Sequence, residues 1–88
     1  MPMQVDGNGF VLFNRTLQPK ETYQQSTSWP AYHYIQFAVR PKSATAQISW
    51  GISAGRTSAN FVTYWIVVSN LTDVPVEIDA VVGFLATG

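Results

Sequence analysis

His33 is the one imidazole in the chain. With a serine such as Ser26, Ser28 or Ser49 and a supporting acid it could form a nucleophile–base pair. No Gly-x-Ser-x-Gly elbow lifts any of these serines into position. The reading that fits better is a histidine at the end of a core-facing strand, bonded to a carbonyl.

Glu77 and Asp79 stand two apart, so on a strand they share a face about 6–7 Å apart at the backbone. That spacing falls in the range of paired glycosidase carboxylates, and with Asp73 in the preceding turn the group could hold calcium. Acids alternating with Val76, Ile78 and Ala80 are equally what a solvated strand face looks like. Nothing around them resembles a calcium loop. We therefore expect no catalytic residue, no bound metal and no cofactor, and no enzymatic activity.

The aromatic residues carry more information. Trp29, Tyr32 and Tyr34 lie in or beside one expected loop, with Tyr23 upstream. Flat rings at a loop rim can stack on sugar faces, which makes these three a candidate glycan platform. Protein interfaces use the same rings, because they bury large area at low entropy cost. The plainer expectation puts Trp50 and Tyr64 in the core and makes Trp29 a loop anchor.

The elements that must position these residues follow from period-two alternation punctuated by turn residues. A turn over Asp6-Gly7-Asn8-Gly9 leads into a strand over Phe10–Thr16. A weaker polar edge strand is expected over Thr22–Ser26, then a loop through Ser28-Trp29-Pro30-Ala31. Tyr32–Arg40 alternates clearly, with His33, Ile35, Phe37 and Val39 on one face. Ala44–Ile52 follows with Ala46, Ile48, Trp50 and Ile52 inward, then a loop over Ser53–Asn60.

Phe61–Ser69 breaks the simple pattern. Val62, Tyr64, Ile66 and Val68 form one apolar face, yet Phe61, Trp65 and Val67 make the opposite face apolar too. A strand apolar on both faces is normally covered on both, whereas a two-layer sandwich covers one. The last strand, about a dozen residues from Val74 to Leu85, is charged on its outer face at Glu77 and Asp79. It turns apolar there at Val81 and Leu85. No stretch has a helical period and no repeat is evident. The expected fold is all-β, one domain over residues 1–88. It is a small antiparallel β-sandwich, jelly-roll-like or a partly closed barrel, of about six to seven strands.

Composition narrows the function. Cysteine is absent, which excludes disulfides and thiolate zinc sites. Charged residues make up 11% of the chain, against about 25% in an average domain. A small domain with a high surface-to-volume ratio should need more charge than this to stay soluble. The five basic and five acidic residues cancel, and the basic ones are scattered, which argues against nucleic-acid binding. The longest strongly apolar stretch is about eight residues, too short for a membrane-spanning helix. The N-terminal residues lack the pattern of a signal peptide, so synthesis in the cytoplasm is expected. The sequons at Asn14-Arg15-Thr16 and Asn70-Leu71-Thr72 are then chance matches.

These features favour a structural, interaction-type protein, a subunit of a homo-oligomer or larger shell. Virion decoration, cement or tail accessory proteins have this character, with capsid or other assembly proteins as partners. Phe61, Trp65, Val67, Val81 and Leu85 are the expected contact surface. The alternative is a lectin-like module that stacks a glycan on Trp29, Tyr32 and Tyr34.

Overall fold

The computed structural model describes residues 9–87. Six antiparallel strands form two three-stranded sheets with no helix. They are β1 (Gly9–Leu17), β2 (Thr22–Pro30), β3 (His33–Pro41), β4 (Ile48–Arg56), β5 (Phe61–Asn70) and β6 (Val76–Thr87). One sheet has the order β1-β6-β3 and the other β2-β5-β4, so β6 and β5 are the central strands. The sandwich does not close into a barrel, and each sheet keeps two open edges.

Apart from the β4–β5 hairpin, every connection crosses between the sheets. Ladder pairing therefore joins strands distant in the chain, as where Leu17 pairs with Val76 and Thr22 with Ser69. The core is filled by inward residues of the two central strands: Ile66 and Val68 of β5, and Val76, Ile78, Ala80 and Val82 of β6. Leu17, Phe37 and Val39 complete it from the flanking strands. Alternation places these side chains on one face because successive residues of a strand point to opposite sides.

One end of the sandwich is tied by Asn70, buried at the end of β5. Its Nδ2 donates to the carbonyls of Leu17, Gln18 and Val74 at 3.2, 3.1 and 2.8 Å. Its Oδ1 accepts from the Thr72 N–H at 2.8 Å and from the Thr72 hydroxyl. The side chain thus clips the β1–β2 turn to the β5–β6 turn. The second sequon is spent on this clip, with both of its hydrogen-bonding residues engaged.

Several strands differ from expectation. β2 continues through the expected loop to Pro30, and Trp29 is a strand residue paired with Val62. The pre-proline bias toward extended geometry suits a strand as well as a loop, and Pro30 is tolerated at the end of an edge strand. β4 is shifted along the chain, absorbing Ser53–Arg56 and releasing residues 44–47 to a turn. Thr45 there has φ 61°, left-handed backbone that no strand contains. Trp50 and Ile52 point toward the inner side of the sheet yet are 41% and 39% exposed. The opposing sheet ends at β3 and covers β4 only in part, Ile48 packing against the core while Trp50 and Ile52 stay exposed. Trp50 is therefore not a core residue, whereas Tyr64 is half-buried and packs against the core. The remaining strands match within two residues at each end. Asp6, Gly7 and Asn8 of the expected first turn lie outside the described residues.

Candidate functional site

The charges of the molecule are divided unequally between the two sheets. β2, β4 and β5 together carry a single charged residue, Arg56, at the end of β4. Arg15, Arg40, Glu77 and Asp79 belong to the β6 sheet, and Lys20, Glu21, Lys42 and Asp73 lie in connections. The acids of the β6 sheet are neutralised by side chains of that sheet and by Lys42 just beyond β3. Asp79 accepts from the Asn14 amide at 2.6 Å and from Arg40 at 3.3 Å, and Glu77 pairs with Lys42 at 3.5 Å. The Asn14 hydrogen bond, helped by Arg40 and Lys42, holds the Asp79 carboxyl below its ordinary range despite desolvation that raises it. Glu77 and Asp79 are thus each committed to a charged or amide partner beside them. Among the described residues, no three His, Cys, Asp or Glu cluster as metal ligands do.

The outer face of the β5 sheet is built differently. Phe61, Thr63, Trp65, Val67 and Ser69 run down its centre. Ser26 and Ser53 pair with Trp65 from either side, and Gln24 and Gly51 flank Val67. The hydroxyls are largely spent on one another. Thr22 and Ser69 lie 2.8 Å apart, Ser28 and Thr63 2.8 Å, and Thr57 and Thr63 3.0 Å. Such pairing across strands leaves fewer polar groups to desolvate when the face is covered. Trp65 leans over β4: a Cβ at Gly55 would come within 3.3 Å of its ring. The glycine lets the indole lie low across the sheet, so that the face stays flat. Gly51 has open space around it.

Of the five expected contact residues, Phe61, Trp65 and Val67 share this face. Val81 belongs to the outer face of the β6 sheet, on the opposite side of the sandwich. There Val11, Ala38 and Val81 line a 330 Å³ groove closed at one end by Arg40 and Asp79. Leu85 is an exposed residue skipped in the β3–β6 pairing, where Tyr34 opposes Ala86 and Ile35 opposes Phe84. The five do not form one surface.

The expected stacking platform is not assembled either. The Trp29 ring faces inward between Phe10 and Phe84, at centroid distances of 5.6 and 5.3 Å. Tyr34 is exposed on the outer face of the β6 sheet. Tyr32 sits in the β2–β3 turn with its ring 4.4 Å from that of His33. His33 also packs on Phe84 at 4.8 Å. Its Nδ1 and the Trp29 Nε1 are buried without a hydrogen-bond partner among the described residues. The carbonyl bond expected of His33 is thus not made through Nδ1. Sequence reasoning passed over Arg56 and Asn60. The signal that marks Arg56 is its isolation, the one charge between Lys42 and Asp73.

No protein family, no characterised protein and no solved structure matches the chain. With no helix among the described residues, none is long and apolar enough to cross a membrane.

Proposed function

We propose that the protein is a structural subunit that docks the outer face of its β5 sheet onto neighbouring copies of itself in a closed oligomer or shell. One observation carries the reading: a whole three-stranded sheet with a single charge, and a row of Phe61, Trp65 and Val67 along its outer face. Free-standing sheets usually guard open edges and faces with lysine, other charges or proline. Here β2 has only its terminal Pro30 and β4 only its terminal Arg56. The setting we propose is that of a virion decoration, cement or tail accessory protein, where neighbours supply what a small core lacks. No catalytic role is part of this reading.

Sedimentation equilibrium across a wide concentration range tests it. The expected outcome is a discrete oligomer that Trp65→Glu converts to a folded monomer, with unchanged β-sheet circular dichroism. Val81→Glu, on the opposite side, should leave the mass unaltered. A wild-type chain that stays monomeric throughout, or a Trp65→Glu variant that assembles normally, overturns the proposal.

A further inference from the structure

At the end of the sandwich away from Asn70, the β2–β3 turn meets the β4–β5 loop, and the Ala31 N–H donates to the Asn60 carbonyl at 2.8 Å. The junction leaves an open cleft of 540 Å³ lined by Pro30, Tyr32, Arg56, Asn60 and Phe61, among others. Tyr32 and Phe61 are 55% and 46% exposed, so both rings offer surface to a ligand.

Arg56 differs from every other cation of the chain. Lys20, Arg40 and Lys42 have carboxylate partners, and the Arg15 guanidinium lies 4.0 Å over the Tyr23 ring. Among the described residues Arg56 has neither an acid nor a ring. Its Nε and Nη2 donate to the carbonyls of Ser58 and Ala59 at 3.2 and 3.1 Å. These bonds fix the guanidinium in the loop and leave Nη1 uncommitted. Among the described residues no acidic side chain lines the cleft. A held guanidinium with no acid beside it among the described residues, next to two exposed rings, suits a ligand with one negative charge and an apolar face.

We propose that this cleft binds an acidic saccharide, a pyranose carrying a carboxylate. The rings of Tyr32 and Phe61 take the C–H faces of the sugar, Arg56 takes the carboxylate, and the Asn60 amide reads a hydroxyl. A single cation matches a carboxylate better than a phosphoryl dianion, which recruits several donors. The inference shares Phe61 with the assembly reading, and where a neighbouring copy covers that ring the cleft keeps Tyr32, Arg56 and Asn60. Phe61 stands at the corner shared by the cleft and the docking face, but Tyr32 and Asn60 lie off that face.

The test is a ¹H–¹⁵N correlation titration of the protein, in whatever oligomeric state it adopts, with trigalacturonate. A neutral trisaccharide and inorganic phosphate are run alongside. Amide shifts should concentrate at Ala31, Tyr32, Arg56 and Asn60 on adding trigalacturonate. The neutral sugar should bind about 10- to 100-fold more weakly, the worth of a charged hydrogen-bonded contact. Because Arg56 also holds two loop carbonyls, Tyr32→Ala is the cleaner variant and should abolish the shifts with the fold intact. Three results each overturn the proposal: no shifts with trigalacturonate at about 10 mM, equal affinity for the neutral sugar, or phosphate binding as tightly as the acidic one.

Discussion

Asn70 is the residue on which most of the polar order of this molecule converges. Its amide satisfies three carbonyls from two separate turns, and its own oxygen is taken up by Thr72. Removing it leaves those carbonyls unpaired near the core, where an orphaned polar group is costly. Asn70→Ala should destabilise the fold by about 2–4 kcal/mol in urea denaturation. A loss near zero would mean that water replaces the clip. Asp79 makes a different kind of contribution. Its carboxyl is held below the ordinary range chiefly by the Asn14 amide, so the folded state favours its ionised form. The stability this brings is fully present above the unfolded value of about 3.9 and fades as pH falls through the lower folded value. Asp79→Asn should flatten the acid limb of the urea midpoint below about pH 4 and lower stability at neutral pH. An unchanged acid limb would show that Asp79 titrates alike in both states.

The strands differ in how far they are held. β5 and β6 are each paired on both sides and buried on their inner faces, whereas β4 is an edge strand with almost every residue exposed. Ile66→Ala should therefore cost about 2–5 kcal/mol and Trp50→Ala distinctly less, although tryptophan is the larger side chain. Denaturation of the two variants side by side decides it, and a larger loss from Trp50→Ala would place that ring in the core after all. This contrast also marks what the sequence discloses. Strands β3, β5 and β6 were legible because their inward apolar residues recur every second position without interruption. β2 was cut short because Gln24 to Ser28 offer no apolar alternation and Trp29-Pro30 reads like a turn. β4 slipped because Ser53 and Gly55 on its outer side, with small residues around them, resemble a loop. The doubly apolar character of β5 was visible, and it led to Trp65 directly. That Val81 lies on the far side of the sandwich was not visible. Sheet membership is settled by pairings between distant strands, and alternation within a strand says nothing about which sheet it joins.

At the scale of the whole molecule the sandwich is a slab, 42 × 30 × 17 Å along its principal axes. Its radius of gyration of 14.0 Å exceeds the value of about 12 Å expected for a compact chain of this length. A flat shape spends chain on surface. Only part of each inner sheet face meets the other sheet, and β4 projects past its cover. On the proposed assembly, another copy covers the outer face of the β5 sheet, and mass action then ties stability to concentration. The midpoint of thermal unfolding, followed by circular dichroism over a hundredfold range of about 1–100 μM, should rise with concentration in the wild-type chain. In Trp65→Glu the midpoint should be lower and independent of concentration, because the unfolding unit is then a single chain. Val81→Glu should keep the wild-type slope, since it alters only the opposite side. A wild-type midpoint that does not move with concentration would mean the slab is stable alone. The sheet with its single charge would then be a surface this fold carries without a partner copy.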